Sequence, residues 1–241
     1  MKTRLLGLCL ILSAAQATTA FADTLLIASA GGYRKPLMEL IQQLPASAGL
    51  KVEASFGHIR SIVTQARQNS DVALVIGDRA LLEPEGLATR YERLGAGRLA
   101  IIYRQGLKLD AIQDLAGDPV QRYAMPHPQR TIYGRAAAQC LQRTNLDAAT
   151  QAKRTESDGV PQVGAYVALG DMDAGFVNLT EALGRGDSIG GYFLAPDSCY
   201  EPIEIAMAVT KAHEHDPAVQ IWADYVATPA ARAILRRHGL D

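Results

Sequence analysis

Hydrophobic and polar positions follow one another along the chain in a pattern that predicts a regular succession of strands and helices. Segments with the length and pattern of strands are Leu25–Ala28, Lys51–Phe56, Asp71–Ile76, Leu99–Tyr103, Arg122–Met125, Ala174–Val177 and Ile203–Val209, of which Lys51–Phe56 alternates between polar and apolar residues. Segments with apolar residues at helical spacing are Pro36–Leu44, Ser61–Gln68, Ile112–Leu115, Tyr133–Arg143, Val160–Leu169, Asp216–Tyr225 and Ala230–His238. Because strands and helices alternate, the pattern predicts an α/β fold with mostly parallel sheets and right-handed crossovers.

The succession of strands and helices restarts after the run Leu99–Tyr103, which predicts two α/β lobes. The chain is expected to pass between the lobes near this run and again near Ile203–Val209. The predicted first lobe contains residues 23–100 and 206–241, and the predicted second lobe contains residues 101–205. A ligand cleft in a protein of this kind lies between the lobes, where strands end and helices begin.

The first 22 residues have the pattern of a secretory signal peptide. Lys2 and Arg4 precede the apolar stretch Leu5–Ala15, and Ala20-Phe21-Ala22 is a small-residue cleavage site. The apolar stretch is too short to span a bilayer, and no later segment is long and apolar enough. The sequence therefore predicts a signal peptide over residues 1–22 and a mature protein that is exported to the periplasm and is not inserted in the membrane.

Composition and charge narrow the class of protein further. The 241 residues are 48% hydrophobic and 20% charged, and the formal net charge is −1. These values are typical of a soluble globular protein. A nucleic-acid-binding protein would need a basic surplus to neutralise phosphates, so no nucleic-acid partner is expected.

Export also changes the expected redox state of the cysteines. Cys9 leaves with the predicted signal peptide, and Cys140 and Cys199 remain. An even number of cysteines in an oxidising compartment permits a disulfide, and we predict one between these two residues. The alternative is that both are inert buried thiols.

Motifs that carry enzyme or cofactor chemistry are not found in the sequence. Gly31-Gly32 is only a fragment of a dinucleotide-binding fingerprint, and no phosphate loop, nucleophile elbow or zinc-protease motif is present. His213-Glu214-His215 has the spacing of a metal-binding pair. It lies in a polar run before Asp216-Pro217, which indicates a solvated loop. No catalytic residue, metal site or cofactor is therefore predicted.

Charged and potentially charged donors occur where predicted strands end and helices begin. These donors are Arg34, His58, Arg60 and Arg130. Helix N-termini present free N–H groups at the same places, so the two features together favour an anionic ligand.

Several segments occur in an order and spacing that is specific when they are taken together. In the first half they are Leu25–Leu44, Ser55-Phe56-Gly57 and Asp71–Asp78. In the second half they are Ile132–Ala136, Gly159-Val160, Ala165–Val177, Asp197-Ser198, Glu201–Ile203, Trp222–Tyr225, Thr228–Arg232 and Ile234–Leu240. In this order they resemble the periplasmic molybdate-binding proteins of ABC importers over nearly all of the chain after residue 22. The resemblance implies a type II periplasmic binding fold.

The resemblance also implies which positions contact the ligand. The matched positions are, in chain order, Gly32, His58, Ile59, Arg130 or Thr131, Val160 and Asn178. In the family, the oxyanion is bound by a serine at the first of these positions, by a serine of the pair that His58 and Ile59 match, and by a tyrosine hydroxyl at the last. This chain has no hydroxyl at any of these positions. Backbone N–H groups bind the oxyanion at the others, and any residue except proline supplies them.

The missing hydroxyls change the expected ligand. Each lost charge-assisted hydrogen bond costs roughly 1.5 to 3 kcal/mol, so two or three of them cost several decades of affinity for molybdate. His58, Arg60 and Arg130 offer bulkier donors instead, and Tyr33 offers a ring for an organic group. A molybdate-like oxyanion stays open as the ligand, but we favour a larger or more anionic one, such as a carboxylate, a phosphate compound or an anionic metal chelate.

Together these features predict the function of a periplasmic solute-binding protein. It would be a monomer that closes on a small anionic ligand and delivers it to an inner-membrane ABC permease. Two alternatives stay open because a fold does not determine function: a periplasmic chaperone for a metal or metallophore, and an exported enzyme. His58 is the candidate base of such an enzyme, and His58 or the pair His213 and His215 would bind the metal of such a chaperone.

Overall fold

A computed structural model of the protein describes residues 23–241. The predicted signal peptide, residues 1–22, lies outside the described residues. Within 23–241 no helix combines the length and the apolar character that crossing a membrane would require.

Residues 23–241 form ten strands and nine α-helices. The strands are β1 (Asp23–Ala30), β2 (Leu50–Gly57), β3 (Val72–Asp78), β4 (Ala88–Gly97), β5 (Leu99–Tyr103), β6 (Tyr123–Pro126), β7 (Arg154–Ser157), β8 (Ala174–Asn178), β9 (Gly191–Leu194) and β10 (Ile203–Thr210). The helices are α1 (Arg34–Gln43), α2 (Ile59–Gln68), α3 (Arg79–Leu82), α4 (Ile132–Arg143), α5 (Asp147–Thr150), α6 (Val160–Leu169), α7 (Leu179–Arg185), α8 (Pro217–Ala227) and α9 (Pro229–Arg237). The segment Ile112–Ala116, predicted as a helix, is a 3-10 helix.

Two five-stranded sheets have the same internal order. The first is β2-β1-β3-β10-β4 and the second is β7-β6-β8-β5-β9. In each sheet four strands run in one direction, and the fourth strand of the order, β10 or β5, runs against its neighbours. The predicted α/β fold with two mostly parallel sheets is confirmed. We call the parts of the chain built on the first and second sheet the first and second lobe.

The chain passes between the two sheets twice. It leaves the first sheet at the end of β4 and enters the second at Leu99, and it returns between Leu194 and Ile203. The division predicted from the sequence placed these boundaries after residues 100 and 205, a few residues later in both cases. Each passage is a short segment that joins an edge strand of one sheet, β4 or β9, to an interior strand of the other, β5 or β10.

The buried hydrophobic residues of both lobes form one connected core. Strands β3, β5 and β8 are buried at every residue, as expected for strands covered on both faces. On the helical side of the first lobe, the ring of Trp222 in α8 is 1% exposed and lies 5.5 Å from the ring of Tyr225. This core positions the strand ends at which the helices of the site begin.

A disulfide joins Cys140 of α4 to Cys199, which lies in the 3-10 helix Asp197–Cys199 of the passage between β9 and β10. Both residues are buried. The bond attaches the returning passage to the second lobe, so it restricts where the chain turns back toward the first.

Candidate functional site

A cavity of about 420 Å³ lies between the two lobes. From the first lobe it is lined by Ala30, Gly31, Gly32, Tyr33, Arg34, Phe56, Gly57, His58 and Ile59. From the second lobe it is lined by Thr131, Ile132, Tyr133, Asp158, Gly159, Val160, Pro161 and Gln162. These residues lie at or near the end of a strand or the start of a helix, so the topology brings four strand-to-helix junctions together.

Four helix N-termini reach this cavity, those of α1, α2, α4 and α6. None of the four has an acidic residue in its first turn, although helix starts favour Asp and Glu. The first N–H groups of a helix have no acceptor within the helix. The cavity wall thus presents hydrogen-bond donors and the positive ends of helix dipoles, the combination that binds anions.

His58 is the N-cap of α2 and its ring has a defined hydrogen-bonding pattern. The backbone N–H of Ser61 donates to His58 Nδ1 at 3.1 Å. This hydrogen bond occupies Nδ1, so Nε2 is the ring nitrogen that remains for a ligand in the cavity.

Two tyrosine hydroxyls meet between the lobes at the buried side of the cavity. The Oη atoms of Tyr33 and Tyr133 are 2.5 Å apart, and both residues are buried. Burial raises the pKa of both phenols well above the usual range, so both keep their protons at neutral pH. One of the two hydroxyls donates to the other, and the Asn178 side chain is a further hydrogen-bond partner of Tyr33.

Asn178 connects the lobes but does not line the cavity. Its Nδ2 donates to the carbonyl of Gly32 at 3.0 Å, and its Oδ1 accepts from the N–H of Glu181, which caps α7. The side chain is almost fully buried. Both ends of the amide are therefore used within the protein, and Asn178 holds Gly32 against the second lobe.

Arg34 lies over an aromatic ring in the cavity wall. Its guanidinium carbon is 4.1 Å from the centre of the Phe56 ring, and both residues line the cavity. This distance is within the range of a cation–π interaction. Arg34 is an exposed residue at the first position of α1.

The other two arginines expected at the ligand lie outside the cavity. Arg60 lines a separate open groove along α2, which shares only His58 with the cavity. Arg130 lies behind the rim, where its guanidinium pairs with the Asp158 carboxylate at 2.7 Å. The pair leaves little net charge at that part of the rim.

The nine positions assigned from the sequence thus separate into two groups. Those that line the cavity are Gly32, Tyr33, His58, Ile59, Thr131 and Val160, and those that do not are Arg60, Arg130 and Asn178. The sequence assignment left out Arg34, Phe56, Tyr133, Pro161 and Gln162. Phe56 and Tyr133 belong to segments quoted for the family resemblance, and Arg34 was noted as a donor, so a signal for these three was present.

A buried ion pair lies beside the cavity and joins the lobes. Asp78, at the end of β3, pairs with Arg135 of α4, and the Asp78 side chain is fully buried whereas that of Arg135 is partly exposed. Burial raises the pKa of Asp78, and the nearby Arg135 guanidinium opposes this rise.

Of the histidines considered for metal binding, His58 lines the cavity, whereas the pair His213 and His215 lies outside it. His213 ends the 3-10 helix Lys211–His213 after β10, and its Nδ1 lies 3.1 Å from the Thr210 hydroxyl. Between residues 23 and 241 no cluster of three or more His, Cys, Asp or Glu side chains has the geometry to hold a metal ion.

Comparison with known proteins places this architecture in a family. The model of a family described as bacterial extracellular solute-binding protein matches residues 25–241. The molybdate-binding protein ModA of Azotobacter vinelandii is 28% identical over 231 residues, which cover 92% of this chain and 92% of that protein. ModA of Rhodobacter capsulatus is 22% identical over 229 residues, covering 92% of this chain and 90% of that protein.

A solved structure agrees with these sequence relatives. The periplasmic molybdate-binding protein of A. vinelandii matches with a TM-score of 0.79 at 26% identity, over 90% of this chain and 98% of that one. The family resemblance noted in the sequence is confirmed, and these relatives are solute-binding proteins. The chain belongs to the bacterial extracellular solute-binding proteins, in the group that is similar to the periplasmic molybdate-binding proteins of ABC importers.

Proposed function

We propose that this protein binds a small anion in the cavity between its lobes and delivers it to an ABC permease of the inner membrane. The observation that carries the proposal is the convergence of four helix N-termini, without an acidic residue in any first turn, on one cavity. The carboxylate at the rim, Asp158, is paired with Arg130. An anion is therefore the ligand that these groups stabilise.

The donors assigned to the ligand are of two kinds. Backbone N–H groups are supplied at the starts of the helices, among them those of Ile59 and Val160. The side-chain donors that we assign to the ligand are Nε2 of His58 and a hydroxyl of the Tyr33–Tyr133 pair. These donors act on an anion as dipoles that the fold already orients.

Delivery to a permease and residence in the periplasm are supported by the relatives, which include periplasmic molybdate-binding proteins. Closure would bring the lobes together around the ligand by bending at the two passages between the sheets. The bound ligand would contact both lobes at once. We infer that the protein acts as a monomer in this cycle, as the sequence led us to expect.

A thermal-unfolding screen tests the proposal. The purified protein is heated with molybdate, tungstate, sulfate, phosphate, organic acids, divalent cations and neutral sugars in separate samples. A ligand present at about 100 times its dissociation constant stabilises the folded state by roughly 2.7 kcal/mol, which corresponds to several degrees for a protein of this size. We expect an anion to give this shift, and a response to cations or sugars alone would contradict the proposal.

A bulky side chain in the cavity provides the second part of this test. A Cβ atom at Gly31 would meet only the Gly57 carbonyl oxygen, at 3.7 Å, so Gly31→Phe fills the cavity without a close contact at its Cβ atom. We expect this variant to lose the anion-dependent shift. Ala230→Phe, which places the same side chain at an exposed position of α9, serves as the control and keeps the shift. An unchanged response of Gly31→Phe would place the anion site elsewhere.

A further inference from the structure

Arg34 and Phe56 form a surface of the cavity that the anion site itself does not explain. The guanidinium lies over the ring at 4.1 Å, and both groups line the cavity. In the described part of the chain no carboxylate forms an ion pair with Arg34. Its neighbour Lys35, by contrast, donates to the Gly184 carbonyl across the lobes at 2.8 Å. Arg34 is thus a charged group in the cavity wall whose contact is with an aromatic ring.

The position of Arg34 on its helix is electrostatically unfavourable. It is the first residue of α1, where the positive end of the helix dipole disfavours a cation. An anion bound beside Arg34 would offset the unfavourable interaction of the guanidinium with the helix dipole, and it would form an ion pair with the guanidinium. A planar guanidinium suits carboxylates and phosphates because it donates two parallel hydrogen bonds to them.

The rest of the cavity is larger and more apolar than a bare oxyanion needs. Its volume of about 420 Å³ falls among those of sites for organic ligands, roughly 300 to 1,000 Å³. A water molecule takes up about 30 Å³ in the liquid, so a five-atom tetrahedral oxyanion leaves most of this space unfilled. Beyond the polar groups, the wall consists of Ala30, Phe56, Ile59, Ile132, Val160 and Pro161.

We propose that the ligand is an organic anion, with a carboxylate or phosphate head bound by the helix N-termini and Arg34, and an apolar body that packs against Phe56 and the apolar wall. This inference rests on the proposed function and specifies its substrate class. The Arg34 guanidinium attracts the charged head group, and the Phe56 ring covers the apolar body and removes it from water. An inorganic oxyanion uses only the first of these contributions.

Calorimetric titration with matched pairs of anions tests this class. Inorganic phosphate is compared with phenyl phosphate, and acetate with phenylacetate, so that each pair shares a head group and differs in the body. We expect the member with the ring to bind at least tenfold more tightly in one or both pairs, since roughly one face of a phenyl group leaves water. The pair that responds identifies the head group. Equal or tighter binding of the ringless member in both pairs overturns the inference.

Variants assign the two contributions to the two residues. Arg34→Ala should weaken binding of the preferred probe about 30-fold or more, and Arg34→Lys should weaken it less, because the charge is kept and the planar fork is lost. Phe56→Leu should weaken the ring-bearing member and leave its ringless partner within about threefold. Arg60→Ala, an exposed arginine outside the cavity, controls for general charge and should change binding less than threefold.

The outcomes separate this inference from the proposed function. If no anion of either pair binds and none binds in the thermal screen, the anion-binding function itself is wrong. If inorganic oxyanions bind tightly while the ring gives no gain, the function stands and the organic ligand is refuted. If Arg34→Ala loses no more affinity than Arg60→Ala, the assignment of Arg34 to the head group is refuted. Unchanged thermal midpoints of the ligand-free variants show that each is folded.

Discussion

Replacing Arg135 with alanine is expected to destabilise the protein at neutral pH by about 3 to 5 kcal/mol, because the Asp78 carboxylate then stays buried without its charge partner. Backbone N–H groups of Ala80, at 3.3 Å from Asp78 Oδ1, and of Glu204 remain as hydrogen-bond donors, but they do not replace the charge of a guanidinium. Urea denaturation at pH 7, followed by circular dichroism, measures the loss of free energy of unfolding.

The same variant has a predictable dependence on pH. Burial raises the pKa of Asp78 in the folded protein, and the loss of Arg135 raises it further. When a carboxyl has a higher pKa in the folded protein than in the unfolded chain, its contribution favours the folded state at pH values below the pKa of the unfolded chain. This contribution is lost as the pH rises through the pKa of the folded protein. The difference in stability between the variant and the wild type should therefore shrink as the pH is lowered from 7 toward 4.

Asp78→Asn in the Arg135→Ala background is the control for this explanation. It removes the buried charge and keeps a side chain of the same shape, so the double variant should regain much of the lost stability at pH 7. A destabilisation that is the same at all pH values, or a double variant as unstable as the single one, would mean that Arg135 acts through packing and not through Asp78.

Removing the disulfide should have an effect of similar size. Cys140 and Cys199 are 59 residues apart in the sequence, and closing a loop of this length stabilises the folded state by about 4 kcal/mol through the lost entropy of the unfolded chain. Alanine is the replacement of choice at both positions, since both are buried and a serine hydroxyl would lack a partner. The urea midpoint of the double alanine variant is expected to fall accordingly.

Reduction of the wild type provides the matched measurement. A thiol reductant should lower the urea midpoint of the wild type to near that of the alanine variant, and it should leave the variant unchanged. Thiol titration of the unfolded, unreduced protein should detect no free cysteine among residues 23–241. Two free thiols in that titration would contradict the predicted bond.

The order of the central elements could be predicted from the sequence because buried strands are continuous apolar runs. The strands that the pattern missed, β4, β7 and β9, all lie at sheet edges. Strand β4 reads Ala-Thr-Arg-Tyr-Glu-Arg at its start, and its exposed face carries charged side chains that interrupt the apolar signal. The strand character of β4 depends on its pairing with β10, and β10 is far away in the sequence.

The sequence was sufficient to predict which strand ends meet at the candidate site, but it was not sufficient to predict which side chains there point toward the cavity. Gly32, His58 and Val160 follow strands or begin helices, and the topology alone brings such positions to the cavity. Arg130 and Asn178 occupy equivalent places, but their partners, Asp158 and the Gly32 carbonyl, come from distant segments and turn them away. The contact between Arg34 and Phe56 depends in the same way on packing between two adjacent strand ends.

The position of the single tryptophan gives the experiments above an internal reporter. Trp222 is buried in α8 of the first lobe and does not line the cavity, whereas Tyr33 and Tyr133 do. Tryptophan fluorescence should therefore follow unfolding of the first lobe and respond little to a bound anion. Ultraviolet difference absorbance of the tyrosines should respond to the anion, because a new hydrogen bond changes the phenol chromophore. One sample then reports on binding and on folding at separate wavelengths.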